Sequence, residues 1–282
     1  MNKSHFLIIN ADDFGFSDSV NTAIIQAHTQ GILTSTSLMV SGNAVEDAIS
    51  LAKNHPQLAV GLHLVLVCGK SVLPPDKIPH LVDSQGNFSH NPTQAGLSYQ
   101  FNQATRAELR LEISAQLAKF RDSGLNLAHV DGHLHLHVHP VILNILTELA
   151  AEFQIKFIRL PSEELTKNLK IDRRNLLTKI IWSIVFGQLR NYGEGLLKAH
   201  HINFADRVYG LLQTGNMSEE YLLSLIPQIE AKLVEIYAHP DIENTNINLG
   251  GTVELAALLS QKIKKLLTES HFQLINYHQL GH

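Results

Sequence analysis

The sequence predicts an α/β protein, an irregular (βα)-barrel of mainly parallel strands with a metal site at the C-terminal strand ends. Short apolar runs alternate with helical patterns in about seven βα units, which is typical of parallel sheets. Residue types that bind metals stand where three of these runs end. Since (βα)-barrels place their chemistry at that end of the strands, the two observations support each other. We expect a single domain over residues 1–282, with a helical excursion at about 162–215.

The first half of the chain supplies three strands and two helices. Apolar runs predict the buried strands, and apolar residues repeated every three to four positions predict the helices. In chain order we predict strand 6–11, helix 18–30, strand 35–40, helix 44–54 and strand 59–67. Residues 68–103 are rich in proline and glycine, and we interpret them as a long loop that forms a lid or a substrate wall.

The second half continues the alternation. Thr105 and Glu108 have the spacing of a capping box, which predicts a helix from there to about Asp122. Pro140 suits the first turn of a helix over 141–153. The other predicted elements are a histidine-bearing strand before Pro140, strand 156–160, a helix near 218–232, strand 234–238, helix 252–269 and strand 272–277.

The composition predicts a soluble, cytoplasmic protein. The 282 residues are 44% hydrophobic and 17% charged with net charge −4, and the pI is about 6.5. This mild acidity argues against nucleic acid as a partner. Cys68 is the single cysteine, which excludes an internal disulfide and a cysteine-rich zinc module. We find no signal segment at the start and no run of about 20 apolar residues that would span a membrane.

The most informative segment is residues 129–139, in which every odd position is His or Asp and every even position is Val, Leu or Gly. If the segment is extended, five imidazoles and Asp131 share one face. The opposite face is then expected in the core, with Val130, Leu134, Leu136 and Val138. Packing explains a row of imidazoles poorly, whereas imidazole is the commonest metal ligand in proteins. The alternative is a surface strand that is merely rich in histidine.

Reach limits how many members of this histidine row can bind one ion. At roughly 3.3 Å per residue the row is about 33 Å long, while a metal–nitrogen bond is about 2 Å. One or two members can therefore serve as ligands, and the others contact substrate, support ligands or lie on the surface. Gly132 allows the chain to leave the strand before the row ends.

Two further groups of polar residues stand on apolar strands. Strand 6–11 leads into Asp12 and Asp13, and His63 is the one polar residue of strand 59–67. Neighbouring side chains point in different directions, so one carboxylate can bind a cation while the other serves as a base. Each group has an alternative interpretation, since aspartates are common in turns and a single histidine in a strand can be a hydrogen-bonded core residue. Together with the histidine row, however, they favour a metal-centred active site.

Three motifs carry a resemblance to a known family. Asn10–Gly15, Gly61–His63 and His129–His133 resemble, in order and spacing, motifs of the YdjC-like carbohydrate deacetylases. Those enzymes remove N-acetyl groups from amino sugars such as chitooligosaccharides. The resemblance covers nearly the whole chain and includes a late His-Pro pair, here His239 and Pro240.

The resemblance implies a role for several residues. Asp13, His63 and His133 would bind one divalent metal ion, either Zn²⁺ or Mg²⁺, and Asp12 would be the general base. Gly132 is a departure, because the family often has serine there. We expect this change to affect backbone freedom more than metal binding.

Residues 61–75 and 78–83 are most similar to the hopanoid-biosynthesis-associated branch of the family. This likeness implies an N-acetylated amino sugar on a hopanoid glycolipid as the substrate. Soluble chitooligosaccharides are the alternative substrate.

Deacetylation requires further groups. An Asp-His-His set leaves positions for water and for the substrate carbonyl, which a structural zinc site does not. The leaving amine must be protonated, and His239 is the candidate acid, with His135 behind it. We place Asp131, His135 and Arg159 among the residues that orient the metal ligands or contact the substrate.

The segment from Arg173 to Arg190 is apolar around much of a helix and has cations at both ends. One interpretation is a helix that packs on the barrel or on a second subunit in a homodimer. The other is an apolar surface for a greasy substrate or for peripheral membrane contact.

Two functions from other classes are alternatives. A metal-dependent phosphoesterase would use similar ligands, but it needs a bridging carboxylate, a second metal and Arg or Lys near the motifs. A non-catalytic metal-binding protein would use the histidine row, but it has no use for Asp12 and Asp13 at a strand end. No Gly-x-Ser-x-Gly motif supports serine hydrolysis.

Overall fold

The computed structural model describes residues 5–243 and 250–280. Within these residues it contains one curved sheet of parallel strands. The strands are β1 (His5–Phe14), β2 (Ser35–Leu38), β3 (Ala59–Leu64), β4 (Leu127–Gly132), β5 (Arg207–Tyr209), β6 (Leu233–Ala238) and β7 (Phe272–Leu274). Their order is β4-β3-β2-β1-β6-β5, and β7 pairs with the start of β1.

Helices cover the outside of the sheet. They are α1 (Asp18–Gln30), α2 (Val45–Asn54), α3 (Pro92–Phe101), α4 (Gln103–Asp122), α5 (Pro140–Phe153), α6 (Leu165–Ile171), α7 (Leu176–Ala199), α8 (Glu219–Leu225), α9 (Gly251–Leu259) and α10 (Gln261–Glu269). Short 3₁₀ turns occupy His133–Val138, Leu211–Gln213, Ile226–Gln228 and Tyr277–Leu280.

The segment after α5 brings the two edges of the sheet together. Ile158 bridges to Val130 of β4, and Ser162 bridges to Val208 of β5. The sheet therefore curls into an irregular barrel, which confirms the predicted fold class. Alternating residues of β1 show the two sides of its wall. Leu7 and Ile9 pack in the large core that also holds the helices, whereas Ile8 belongs to a second, smaller cluster.

The strands predicted over 35–40, 59–67 and 272–277 are shorter in the structure and end at Leu38, Leu64 and Leu274. Four further predictions, before the histidine row and from α8 onward, differ from the structure. Residues 68–103 are not all loop, because α3 begins at Pro92 and is capped by the side chain of Asn91. The predicted capping box is wrong, since Asn102 caps α4 while Glu108 accepts hydrogen bonds from His80. The helix predicted over 218–232 ends at Leu225 and continues only as a 3₁₀ turn. The helix predicted over 252–269 is broken at Ser260, which ends α9 and caps α10.

The predicted strand 156–160 and the region 162–215 also differ from expectation. Residues 156–160 contribute isolated bridges rather than a full strand. The region 162–215 contains α6 and α7, as a helical excursion should, but it also supplies β5 to the sheet. A strand of three residues is too short for its periodicity to stand out in the sequence.

The first half of α7 projects its apolar side chains away from the barrel. Leu177 is 71% exposed, Ile184 58% and Ile181 51%. Several exposed aliphatic residues on one helix are unusual, and a contiguous apolar patch of this kind is typical of a surface that contacts a protein, a membrane or a ligand. Across the described residues, none of the helices has the length and apolar character to cross a membrane.

Candidate active site

Four strands bring polar side chains to one rim of the barrel. Asp12 and Asp13 lie near the end of β1, His63 lies in β3, His133 follows β4 and His239 follows β6. Since the strands are parallel, their carboxyl ends meet at the same rim. The structure therefore brings together residues that come from four separate parts of the chain.

Asp13, His63 and His133 converge on one point. Oδ1 of Asp13 is 3.2 Å from Nε2 of His63 and 3.2 Å from Nδ1 of His133. The three donor atoms all lie within 4.8 Å of one another. Ligand atoms at about 2 Å from a tetrahedral ion lie about 3 to 3.5 Å apart, so this spacing suits one divalent cation.

The backbone of β1 is distorted where it presents these carboxylates. Its pairing with β2 slips between Ala11 and Phe14. Asp13 has φ +67°, in the left-handed region that few residues other than glycine adopt. Unfavourable backbone conformations of this kind cluster at functional sites.

Asp131 fixes the orientation of the His63 ring. His63 Nδ1 is 2.8 Å from Asp131 Oδ1, which leaves Nε2 directed at Asp13. Burial by itself lowers the pKa of His63, but the negative charges of Asp131, Asp13 and Asp12 raise it to about 10. The site therefore attracts one positive charge, and a bound cation can take the place of that proton.

Arg159 is buried and holds three carboxylates at once. Its guanidinium lies 2.7 and 2.8 Å from the two oxygens of Asp12, 2.8 Å from Asp131 and 2.6 Å from Glu235. Asp12, the expected general base, is therefore paired with a buried guanidinium. Burial raises the pKa of Asp12, but the adjacent Arg159 guanidinium holds it below its ordinary value, so Asp12 stays ionised.

Asp12, His63 and Asp131 form a second group with ligand-like spacing. A cation among them would face the guanidinium of Arg159, which already neutralises both carboxylates. Like charges at such short range disfavour each other strongly. The group that contains Asp13 and His133 is therefore the better candidate for a metal.

His239 lines the same cleft as Asp12, His63 and His133. Its Nε2 is 3.9 Å from Asp12 Oδ2, and its Nδ1 is 3.8 Å from the buried carboxylate of Glu254. Glu254 also accepts a hydrogen bond from the His239 backbone N–H. Burial lowers the pKa of His239, but Glu254, Asp12 and Asp13 together raise it above the ordinary value. This environment favours a protonated ring.

His135 occupies a different environment on the cleft wall. Its Nε2 is 2.7 Å from the hydroxyl of Tyr237, and its ring meets Phe186 edge to face. Burial and the charge of Arg159 lower the pKa of His135 well below its ordinary value, so the ring is neutral. Leu134 and His135 both have left-handed backbones, with φ +51° and +56°.

The histidine row is not one extended strand. β4 ends at Gly132, and the following 3₁₀ turn directs Leu134 to the surface instead of the core. Gly132 itself is extended, so no special backbone freedom is used there. Space at Gly132 is tight instead, because a Cβ would lie 3.0 Å from the Leu64 carbonyl oxygen and 3.1 Å from the Cβ of His137, so a side chain here would require these neighbours to shift by a few tenths of an ångström.

The other histidines of the row lie away from Asp13. His129 stacks on Tyr277 below the site, and His137 Nε2 is 2.9 Å from the Arg159 carbonyl oxygen. His139 is the N-cap residue of α5. His133 is thus the member of the row that lies beside Asp13 and His63.

A cleft of about 290 Å³ opens above the site. We call the part lined by Asp12, His63, His133 and His239 the floor of the cleft, and the part lined by the exposed residues Leu134 and Trp182 its mouth. The other lining residues are Gly132, His135, Asn175, Thr178, Lys179, Leu211, Leu212 and Thr214. The lining therefore combines ionisable side chains with apolar ones.

Sequence reasoning missed four buried polar residues that support this site. Ser37 donates to Asp131, Asn10 donates to Asp12, Glu235 binds Arg159, and Glu254 binds His239. Glu235 and Glu254 each carried a signal, because each is the single acid in an otherwise apolar strand or helix. Asn10 stands at the start of the first motif but the resemblance implies no role for it, and Ser37 carried no signal, since small polar residues in strands are common.

Comparisons with known proteins agree with these motifs. The sequence profile of the family described as "YdjC-like protein" matches residues 6–269. A carbohydrate deacetylase of Brevibacillus brevis is 33% identical over 98% of this chain and 99% of its own. One of Geobacillus stearothermophilus is 30% identical over 97% of each chain. A crystal structure of a protein from Enterococcus faecalis V583 superimposes with a TM-score of 0.76 at 27% identity, over 98% of each chain.

Proposed function

The chain belongs to the YdjC-like protein family, and from this membership we propose that it is a metal-dependent carbohydrate deacetylase that removes the N-acetyl group from an amino sugar. Full-length similarity to two carbohydrate deacetylases supports the reaction class. The observation that carries the proposal is the convergence of Asp13, His63 and His133 beside Asp12 and His239.

The proposed metal ligands are Asp13 Oδ1, His63 Nε2 and His133 Nδ1. Their spacing, the excess negative charge at the site and the hydrogen bond from His63 to Asp131 all support this assignment. We propose one divalent ion per chain, either Zn²⁺ or Mg²⁺. A bound cation supplies Lewis acidity toward the acetamide oxygen and the attacking water.

We assign the proton transfers to Asp12 and His239. Asp12 is ionised and lines the cleft, so it can accept a proton from the attacking water. Arg159 positions the carboxylate by holding both oxygens. His239 is the donor to the leaving amine, because its surroundings favour the protonated ring whereas those of His135 favour the neutral one.

We further propose that the amino sugar is an N-acetylglucosaminyl group attached to a hopanoid, handled at a cytoplasmic membrane surface. The likeness of residues 61–75 and 78–83 to the hopanoid-associated branch supports this substrate. The apolar mouth of the cleft supports it too, because Leu134 and Trp182 can cover an apolar tail. Burial of such a tail contributes about 25 cal/mol per Å².

A soluble chitooligosaccharide is the second candidate substrate, since the polar floor of the cleft would serve any N-acetylated amino sugar. A phosphoesterase is less well supported. Arg159 is buried among carboxylates, so it is not available as a phosphate clamp. A non-catalytic metal-binding protein leaves the ionised Asp12 and the cleft without a role.

Release of acetate from a panel of N-acetylated substrates tests the proposal. The panel contains N-acetylglucosaminyl hopanoid, the same glycolipid with a truncated tail, and N,N′-diacetylchitobiose. We expect the full glycolipid to have the highest kcat/KM and Trp182→Ser to lower it toward the value for the truncated compound. Equal efficiency on chitobiose would reject the lipid substrate, and absence of acetate release from every compound would reject deacetylation.

A further inference from the structure

One face of α7 exposes six apolar side chains within ten residues. We define the α7 apolar surface as Leu176, Leu177, Ile181, Trp182, Ile184 and Val185, all of which are exposed. We infer that the α7 apolar surface docks on a bilayer containing anionic lipid and holds the mouth of the cleft against the lipid.

The surface is continuous with the active-site cleft. Trp182 belongs to both, because it lines the cleft and is 41% exposed. Leu134, which is 44% exposed, lines the same mouth. An apolar molecule could therefore pass from a bilayer to the charged floor without crossing water. Trp182 and Phe186 stack at 5.4 Å, and Trp is enriched where proteins meet the membrane–water interface.

The charge of the segment favours anionic lipid as the occupant. Lys170 and Arg173 are exposed just before α7, and neither has a carboxylate partner among the described residues. The other cations of the segment are already paired, Arg174 and Lys179 with Asp172 and Arg190 with Glu194. Arg173 also stands near the positive end of the α7 dipole, where a cation is unfavourable. Phosphate headgroups would compensate Lys170, Arg173 and the dipole.

The same charges disfavour a second copy of the chain. In a two-fold dimer through this surface, each α7 would meet an identical segment whose nearby acids, Asp172 and Glu194, are already paired with Arg174, Lys179 and Arg190. Arg173 would then find no free carboxylate in that segment. A bilayer satisfies the apolar residues and the cations together.

Vesicle co-sedimentation tests the inference with the full chain. We expect binding to vesicles of phosphatidylcholine with phosphatidylglycerol, and weaker binding to phosphatidylcholine alone. Ile181→Ser combined with Ile184→Ser should lower the partition coefficient by roughly tenfold, because neither residue could then insert. Leu111→Ser, an equally exposed leucine on α4, is the matched control and should bind like the wild type.

Two readouts separate the possible failures. The inference rests on the proposed function only for the identity of the substrate, so vesicle binding without deacetylation would reject the function and leave docking intact. Absence of vesicle binding would overturn docking. If sedimentation velocity then showed a dimer that the double variant converts to a monomer, the occupant would be a second copy. The double variant should hydrolyse a water-soluble N-acetylated sugar as fast as the wild type. If it loses both this activity and vesicle binding, it is misfolded, and the milder variant Leu177→Ser replaces it in the test. Leu177→Ser should keep the activity and weaken vesicle binding, and unchanged binding would overturn docking.

Discussion

The proposed metal site has no spare ligand, since Asp13, His63 and His133 each contribute one donor atom. Replacing any of the three with Ala should lower metal occupancy by at least about tenfold, a loss seen even when supporting residues are changed. Metal content per chain after dialysis, measured by plasma mass spectrometry, checks this. His200→Ala, at an exposed histidine after α7, should keep full occupancy. Full occupancy in His133→Ala would move the site to another histidine of the row.

Asp12 should be required for turnover but not for metal binding. Asp12→Asn keeps the shape of the side chain but cannot accept a proton, so kcat should fall by roughly 10²–10⁴. The variant also places an amide N–H₂ near Arg159, and a thermal unfolding curve must show that the fold persists. Metal content should stay at the wild-type level. If Asp12→Asn loses the metal while Asp13→Asn retains it, the two roles are reversed.

Sequence and structure agree best on residues whose chemistry needs a particular side chain. Asp12, Asp13, His63, His133 and His239 are all predicted from motifs, and all lie at one rim of the barrel. Their supporting partners were harder to predict. Ser37 of β2 reaches Asp131 of β4 across β3, so the contact depends on the registers of two strand pairs, which the sequence alone does not fix.

At the scale of secondary structure, Asn102 links two helices. It ends α3, and its side-chain oxygen accepts from the backbone N–H of Ala104 at 3.0 Å and of Thr105 at 3.3 Å. Asn102→Ala should therefore lower the free energy of unfolding by about 1 kcal/mol. Urea denaturation measures this change. Gln103→Ala, at the exposed neighbouring position, should have little effect, and an equal loss in both variants would argue against capping by Asn102.

Elements with a long, regular pattern were predicted well, and short or distorted elements were not. The predicted bounds of α1 are those of the structure, and α2 and α5 differ from prediction by one residue at their starts. α3 escaped prediction because Pro92 and Gly96 resemble loop residues, although Pro92 occupies the first turn. In the histidine row the period of two continues past Gly132, but the left-handed conformations of Leu134 and His135 turn the chain. The alternation of residue types is the same whether the chain stays extended or turns here, so periodicity cannot reveal the turn.

At the scale of the whole molecule, the barrel buries more carboxylates than guanidinium or ammonium groups around the candidate site. Arg159 is the buried cation that pairs with Asp12, Asp131 and Glu235, while the ion-pair partners of Asp13 among the described residues are histidines, His63 and His133. Buried charges cost desolvation energy unless they are paired. A divalent cation next to Asp13 would complete the pairing, so we expect that the metal stabilises the fold as well as the reaction.

Glu163 should make the stability of the whole molecule depend on pH. Its Oε1 accepts from the backbone N–H groups of Gly210 and Leu212, while its Oε2 is buried and has no hydrogen-bond partner among the described residues. Burial raises the pKa of Glu163 to about 7, from an ordinary value of 4.5. The folded state thus holds a proton that the unfolded state loses. The stabilisation is complete below pH 4.5 and is lost as the pH rises through 7.

Urea denaturation of the wild type and of Glu163→Gln across this range checks the sign. Relative to the variant, which cannot titrate, the wild type should lose roughly 1–3 kcal/mol as the pH rises from 4.5 to 7. Metal-linked effects are common to both proteins and cancel in the difference.

Glu164→Gln is a control for which stability should depend on pH in the opposite direction. Burial raises the pKa of Glu164, but its hydrogen bonds with Tyr209 and Lys167 hold it below 4.5, so its stabilisation is lost as the pH falls. If the difference in free energy of unfolding between the wild type and Glu163→Gln did not change with pH, the Glu163 carboxyl would be ionised in the folded protein and its Oε2 would have a hydrogen-bond partner.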